Sequence, residues 1–307
     1  MMIDSTLMWT IFAVIVVIML ALDLGVFNRG SKHITVKRAL EMTGVWISIA
    51  LLFAVFIYFE MGPDKTMEYL AAYVVEKSMS VDNIFLFIVI FSLFAIPDVY
   101  QHKALFYGVI GAILFRALFI FAGAELLENF HFVMYVFGVI LIYTAIKTAF
   151  KKDDPTKEPF AMKISRHIKS SPELDGDKLF TVKNGVKLAT PLFLCIVVVE
   201  LSDIIFAFDS IPACLSISTD MFIVYTSNIF AIMGLRSLFF ALKGTMESLK
   251  YMKYGLGAIL AFVGIKMLIA DYYEISVLTS LAVIIGLLVV TIAISMISNK
   301  RTPKISS

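Results

Sequence analysis

Charged residues are scarce in this sequence. Only 16% of its 307 residues are Asp, Glu, Lys or Arg, whereas 60% are apolar. Soluble domains typically contain about 25% charged residues and about 50% apolar ones, so this composition excludes a soluble globular protein. The chain is therefore predicted to be an integral membrane protein.

Thiol and imidazole groups are scarce as well. Cys195 and Cys214 lie on one predicted span, about 28 Å apart at about 1.5 Å per residue, so they cannot form a disulfide or bind one ion together. The four histidines lie in predicted loops or at the ends of predicted spans, and no two of them have the spacing of metal ligands. A closed Zn²⁺ site is not expected, and Cu(I) is disfavoured.

Long apolar segments make up most of the chain. Each of nine such segments is close to the length of about 20 residues that a membrane-spanning helix needs. The expected fold is an all-α polytopic membrane protein. The segments are 7–27, 43–59, 75–96, 104–124, 132–149, 190–215, 221–242, 254–270 and 276–298.

The charges between these segments predict the orientation of the chain. Loops rich in Lys and Arg alternate with acidic ones such as 60–72, and basic loops are retained in the cytoplasm. The amino terminus is therefore predicted to lie outside, and the carboxyl terminus and the linker 151–188 inside. We expect a multi-pass protein of the bacterial inner membrane.

Three carboxylates interrupt the sixth segment: Glu200, Asp203 and Asp209. An ionisable group inside a membrane helix is costly, and it usually faces a water-filled path or a partner within the bundle. A weaker copy of the pattern occurs in the third segment, where Glu76 and Asp82 are separated by six residues, as Asp203 and Asp209 are. We interpret these acids as functional, and the alternative is a set of structural ion pairs.

Further landmarks follow each acidic stretch in the same order. Arg116 matches Arg236, and a glycine-led segment ending in Lys147 matches one ending in Lys266. We interpret this as an internal repeat with approximate bounds 73–150 and 197–270. Each copy holds three predicted helices, so the second copy enters the membrane from the opposite side. Inverted repeats of this kind are typical of secondary transporters, which bind substrate near the membrane midplane.

The repeat divides the chain into five predicted parts. Asp23, on the first helix and thus outside the repeat, is a further candidate polar group. The parts are two amino-terminal helices with a basic cytoplasmic loop (1–72), repeat 1 (73–150), a charged cytoplasmic linker (151–188), repeat 2 (189–270), and a last helix with a basic tail (271–307).

The polar groups in the spans offer oxygen ligands and almost no soft ones. Such a set favours hard or borderline divalent ions, including Mg²⁺, Ca²⁺ and Mn²⁺. The candidate metal ligands are Glu76, Asp82, Asn83, Glu200, Asp203 and Asp209, with Ser210 and Asn228 nearby.

Helix geometry leaves two arrangements of the acids open. A separation of six residues turns about 240° on an ideal helix, so Asp203 and Asp209 would face different neighbours. Either the helix unwinds between them, as it could before Pro212, or they serve two steps of one pathway.

The basic residues in the spans are candidates for charge balance. Arg116 and Arg236 would neutralise buried acids rather than touch a cationic substrate, which they would repel. Lys147 and Lys266 lie toward span ends, where snorkelling to the interface is the alternative.

Three stretches resemble signatures of the TerC/Alx family of bacterial membrane proteins, and of its Alx-like branch in particular. They begin at Glu76 (EKSMSVDN), Glu200 (ELSDIIFAFDSIPA) and Thr226 (TSNIFAIMGLR). The resemblance extends over about 22–271. It implies manganese efflux and metal homeostasis, linked in some members to alkaline pH. It also implies that the family's metal site lies at Asp82, Asn83, Asp203 and Asp209.

We therefore expect a secondary transporter that exports Mn²⁺ from the cytoplasm. Its expected partners are the divalent ion, protons and the lipid bilayer, and no nucleic acid is expected to bind. Mn²⁺ would be cargo rather than a permanently bound cofactor, and no enzymatic activity is expected. Since no ATP-using motif is present, an ion gradient or the membrane potential would drive export, and we expect exchange for protons. The alternatives are a membrane scaffold of a tellurite or metal stress-resistance complex and, less favoured, an intramembrane aspartyl hydrolase.

Overall fold

The protein is a bundle of helices with one small β-hairpin. Its computed structural model describes residues 4–27, 35–130, 132–150, 168–183, 185–243, 251–273 and 275–301. The side chains of some helical residues, among them Asp82 and Asp209, lie outside the described part. The elements are α1 (Ser5–Phe27), α2 (Val36–Met61), α3 (Pro63–Leu93), α4 (Asp98–Asn129), α5 (Phe132–Phe150), β1 (Phe180–Lys183), β2 (Val186–Ala189), α6 (Pro191–Leu215), α7 (Met221–Met233), α8 (Leu235–Lys243), α9 (Met252–Ile269) and α10 (Val277–Arg301).

Within the described ranges, six segments are helical, long and apolar enough to cross a membrane. They are Ser5–Asp23, Val36–Met61, Asp98–Leu126, Pro191–Leu215, Met221–Lys243, which joins α7 and α8, and Leu278–Ser298. Shorter apolar helices at Met134–Lys147 and Tyr254–Ile269 lie within α5 and α9. The remaining predicted span corresponds to α3, whose sequence carries more charged residues than any of these six segments. The prediction of an all-α polytopic membrane protein is confirmed.

The predicted loop at 60–72 is wrong, because α3 begins almost directly after α2. Gly62 joins the two helices with a φ of 88°, a left-handed conformation that glycine adopts without steric cost. Pro63 then occupies the start of α3, where its fixed φ suits a helix and its missing N–H is not needed. The predicted boundary at residue 72 therefore falls inside α3.

The suggested break before Pro212 is also absent. α6 continues through Pro212 to Leu215, so unwinding between Asp203 and Asp209 is excluded. Pro212 lies in the last turn of α6, where its missing N–H costs a single backbone bond. A break occurs instead at Gly234, between α7 and α8.

Helix packing brings the two predicted repeats into direct contact. α4 packs along α6 and α3 along α7, while α5 packs along α9. In the predicted repeat, α3, α4 and α5 correspond to α6, α7–α8 and α9. The contact of α4 with α6 is then equivalent to that of α3 with α7, because in each the first helix of one copy meets the second helix of the other. A two-fold axis between the copies would produce this pairing.

The contact between α5 and α9 is reciprocal at the level of single residues. A Cβ added at Gly138 would lie 3.1 Å from the Gly264 carbonyl oxygen, and one added at Gly257 would lie 3.1 Å from that of Ala145. In the predicted repeat, Gly138 is equivalent to Gly257 and Ala145 to Gly264. The two helices are antiparallel. This packing agrees with an inverted repeat, which stays a prediction.

The described part of the linker contains a β-hairpin, formed by β1 and β2. β1 and β2 pair antiparallel, with Phe180 opposite Ala189 and Lys183 opposite Val186. Lys103 at the start of α4 holds the hairpin segment through an ion pair of 2.9 Å with Asp177. Residues 151–167 of the linker lie outside the described ranges.

The orientation of the chain can be tested with two exposed positions. We expect Val182→Cys, 68% exposed on the hairpin, to resist impermeant thiol reagents in intact cells, because the linker is predicted inside. Tyr272→Cys, 89% exposed between α9 and α10, should label readily, since that loop is predicted outside. Both variants need Cys195 and Cys214 replaced by Ala, and labelling is read by mass shift. Ready labelling of Val182→Cys without labelling of Tyr272→Cys would contradict the predicted orientation.

The close approach of α5 and α9 gives a stability prediction. In Gly264→Ala the new Cβ would lie 2.8 Å from the Gly138 carbonyl oxygen, and backbone cannot move aside cheaply. We expect a loss of about 1–3 kcal/mol, seen as a lower midpoint of thermal unfolding in detergent. Gly286→Ala in α10 is the control, because nothing lies within 4 Å of its added Cβ. Equal midpoints for the two variants would contradict the described packing.

Candidate functional site

The centre of the bundle contains a buried arginine between two carboxylates. Arg116 on α4 forms an ion pair of 2.6 Å with Glu76 on α3 and one of 3.5 Å with Asp203 on α6. Exposed fractions are 1% for Arg116, 0% for Glu76 and 5% for Asp203. Within the predicted repeats, Glu76 belongs to the first copy and Asp203 to the second. One guanidinium therefore joins the first helices of both copies.

Two neutral side chains complete the shell of Arg116. Its Nη1 donates to Asn228 Oδ1 on α7 at 2.8 Å and to Ser210 Oγ on α6 at 3.4 Å. Asn228 Nδ2 donates in turn to the Val224 carbonyl at 2.8 Å, which orients the amide with its oxygen toward the arginine. The candidates Ser210 and Asn228 are thus both part of this centre, which we call the Arg116 centre: Glu76, Arg116, Asp203, Ser210 and Asn228.

The carboxylates keep spare acceptor capacity. Asn83 Nδ2 donates to Asp203 Oδ1 at 3.5 Å, and Ser80 Oγ donates to Glu76 Oε1 at 3.4 Å. Asp203 Oδ2 is buried and has no hydrogen-bond partner. A carboxylate oxygen left in this way could accept a proton or a metal ion.

Two of the predicted metal ligands lie outside the described side chains. Asp82 and Asp209 lie on α3 and α6, but their side chains are outside the described part of the chain. Among the described residues, no three His, Cys, Asp or Glu side chains form a group that could hold a metal ion. The described acids of the Arg116 centre are arranged around a guanidinium instead.

Glu200 faces α4, one turn of α6 before Asp203. Its carboxyl group packs against Gly111, where an added Cβ would lie 2.0 Å from Oε2. Glu200 Oε2 is buried and has no hydrogen-bond partner. Only a residue without a side chain leaves room for the carboxylate at this point. Gly111 was not among the predicted site residues. The signal for its role is that an acid such as Glu200, placed between two closely packed helices, needs a facing residue without a side chain.

Arg236 forms a second buried ion pair, with Asp23. Arg236 Nη1 lies 3.1 Å from Asp23 Oδ2, and Nη2 donates to the Asp23 backbone oxygen at 3.1 Å. Both side chains are 2% exposed, and the guanidinium carbon lies 5.8 Å from the centroid of the Phe106 ring. The two arginines thus have different kinds of partner: Arg116 holds acids of the repeats, whereas Arg236 holds an acid from outside them.

The two candidate lysines, Lys147 and Lys266, lie at helix ends and are not part of the Arg116 centre. Lys147 lies in the last turn of α5, is exposed, and its Nζ is 5.8 Å from the centroid of the Tyr143 ring. Lys266 lies in the last turn of α9. Cations at these positions interact favourably with the helix dipole and can extend toward the membrane interface.

Lys77 on α3 is a partly buried cation that was not among the candidate site residues. Its Nζ donates to the Ala231 carbonyl at 3.0 Å, close to the end of α7. A Cβ added at Gly234 would lie 2.8 Å from the same Nζ. Lys77 therefore satisfies a carbonyl that the break between α7 and α8 leaves without its helical partner. A lysine in the middle of a membrane helix is by itself a signal for such a role.

Fold and site together define a polytopic integral membrane protein with ion-paired charges buried inside its helical bundle. The chain belongs to the TerC family: the family described as "Integral membrane protein TerC family" matches residues 61–303. The predicted resemblance is confirmed.

Several similar proteins cover almost the whole chain. A Myxococcus xanthus membrane protein, STKORF319, is 48% identical over 299 residues, which cover 96% of this chain and 94% of that protein. A protein of Escherichia coli (strain K12) named as a membrane-bound redox modulator, Alx, is 41% identical over 314 residues, covering 98% of each chain. A Rickettsia bellii membrane protein is 43% identical over 292 residues, covering 94% of this chain and 97% of that protein. No solved structure matches.

Proposed function

We propose that this protein is a secondary transporter that exports a divalent cation, foremost Mn²⁺, from the cytoplasm in exchange for protons. The observation that supports this most is the Arg116 centre, where one buried guanidinium holds Glu76 and Asp203 from different helices. Ionisable groups at this depth are costly and mark ion paths and proton relays in membrane proteins. We place the protein in the bacterial cytoplasmic membrane with its amino terminus outside.

The charges of the centre suggest how a cation could be exchanged. Glu76 and Asp203 face a single guanidinium within ion-pair distance. When both acids are ionised, one negative charge remains, and a proton or a metal ion must balance it. A divalent ion would favour the ionised acids and compete with both the proton and Arg116. Loading and release of the metal would therefore be linked to proton movement.

The ligand atoms of the centre suit Mn²⁺ better than a soft metal ion. Asp203 Oδ2 is without a hydrogen-bond partner, and Asn83 lies beside Asp203. Carboxylate, carbonyl and water oxygens are the ligands that Mn²⁺ and Mg²⁺ prefer. We include Asp82 and Asp209 among the proposed ligands on the grounds of their sequence alone, together with Glu200 as an acid one turn from Asp203.

Helix packing offers a route to two alternately open conformations. The contact of α4 with α6 corresponds to that of α3 with α7, and α5 and α9 meet reciprocally. In inverted-repeat transporters, movement of one unit against the other exposes the central site to each face in turn. The Arg116 centre joins helices of both units, so it lies where such movement would act.

The printed name of the Alx relatives, membrane-bound redox modulator, raises a second candidate function. Thiol-based redox chemistry requires an accessible thiolate. Cys195 and Cys214 are both free and buried within α6. The two thiols therefore do not favour that function here, and we retain cation transport.

The proposal predicts that removing one carboxylate charge stops transport. In proteoliposomes loaded with Mn²⁺, we expect Asp203→Asn to lower the flux at least about tenfold, because the amide keeps the shape but loses the charge that offsets dehydration of the ion. Asp177→Asn is the control, since it removes an acid 66% exposed at the surface. Asp82→Asn and Asp209→Asn should behave like Asp203→Asn. Parental flux in Asp203→Asn would show that this acid is not an essential ligand.

The same proteoliposomes distinguish exchange of Mn²⁺ for protons from uniport of Mn²⁺. An imposed pH gradient at clamped membrane potential should drive Mn²⁺ against its own gradient, with protons moving the opposite way. Flux that ignores the pH gradient under the clamp would exclude proton exchange while leaving the metal site intact.

A further inference from the structure

α8 is a short helix that is separate from α7 and tied down at both ends. It comprises only Leu235–Lys243 and follows the break at Gly234. Near its start, Arg236 pairs with Asp23 on α1, and at its end Lys243 Nζ pairs with Asp98 Oδ1 at 2.5 Å. At the break, the Gly234 carbonyl accepts the Leu238 N–H at 3.0 Å, which begins α8. An interruption of this kind is a position at which a helix can bend.

The Asp23–Arg236 pair is the buried one of these two ties. Both of its side chains are 2% exposed, whereas Lys243 and Asp98 are 31% and 52% exposed. Exposed ion pairs contribute little to stability, but removing one partner of a buried pair leaves an uncompensated charge in an apolar environment. Of the two ties, the Asp23–Arg236 pair is therefore the one whose loss would disturb α8 more.

A small cavity lies between this pair and the Arg116 centre. Its charged lining residues are Asp203 and Arg236. The rest of its wall is apolar, and includes Phe87, Leu105, Val109, Ala112, Ile232 and Leu235. Most of these residues belong to the halves of α3 and α4 that are predicted to face the cytoplasm. Arg236 thus separates the cavity from Asp23 on the predicted inner side.

The helix that supplies Asp23 contacts the bundle along one narrow face. Along α1, the described buried apolar residues are Met8, Phe12, Val16 and Met19, while Leu7, Val14, Val17, Ile18 and Leu22 are exposed. Asp23 adds a charged attachment to this narrow apolar contact. Its Oδ1 is buried and has no hydrogen-bond partner, so the carboxylate has capacity for a further cation.

We propose that α8, hinged at Gly234, is the inner gate of the cation route, and that the Asp23–Arg236 pair is the latch that keeps it closed. This inference rests on the proposed transport function and adds Asp23 to the residues that serve it. When the latch opens, Arg236 leaves the end of the cavity and the carboxylate of Asp23 becomes available to a cation passing to or from Asp203. Lys77, bound to the Ala231 carbonyl, holds the fixed side of the hinge.

Thiol accessibility tests the gate without relying on transport. Ala112→Cys places a thiol in the cavity wall, in a background with Cys195 and Cys214 replaced by Ala, and its labelling by N-ethylmaleimide is timed in inside-out membrane vesicles. The neutral reagent avoids attraction or repulsion by Arg236. We expect Asp23→Asn and Arg236→Gln each to raise the labelling rate about tenfold or more. Asp177→Asn, which breaks the exposed pair with Lys103, should leave it unchanged.

The outcomes distinguish the gate from the proposed function. Unchanged labelling in both Asp23→Asn and Arg236→Gln, with the protein present in the membrane at parental level, would overturn the gate, even if Mn²⁺ flux is confirmed. Faster labelling in the two variants supports the gate even where the parental protein carries no Mn²⁺. If one variant fails to reach the membrane, the other provides the same comparison.

Discussion

An arginine side chain stays protonated, and therefore positively charged, even when it is buried in a protein. The contacts around Arg116 depend on this permanent charge. A positive charge 1% exposed must be compensated nearby, and the partners it finds lie on three other helices. α3 brings Glu76, α6 brings Asp203, and α7 brings Asn228. This arrangement of helices around α4 keeps one buried charge paired inside an apolar bundle.

The second arginine distinguishes the two copies of the predicted repeat. Since Arg116 holds both Glu76 and Asp203, Arg236 pairs with Asp23 on α1. Asp23 precedes the residues 61–303 that the family description covers. α4 is continuous through Arg116, whereas the helix containing Arg236 is interrupted two residues before it. Under the proposed gate, a break with a latch in the second copy would let the two faces of the protein open by different means.

Sequence reasoning was most successful where the physical signal is local. Apolar length predicted the helices, and intramembrane charge singled out Arg116, Arg236 and Asp203 before any contact was known. It failed at the start of α3, because the acidic residues after Gly62 suit a helix start as well as a loop. The partner of Arg236 could not be predicted, since Asp23 is far away in sequence and only packing brings the two together. The side-chain arrangement of Asp82 and Asp209 remains a prediction.

In the proposed mechanism, Arg116 and a divalent cation compete for the same carboxylates. The most direct measurement is the equilibrium affinity of the purified protein for Mn²⁺ in Arg116→Gln, with Lys103→Gln as the control at a surface pair. If the guanidinium has to be displaced, removing its charge should tighten Mn²⁺ binding by about tenfold or more, although transport slows. Affinity that is unchanged or weaker in Arg116→Gln, with normal binding in Lys103→Gln, would contradict the account.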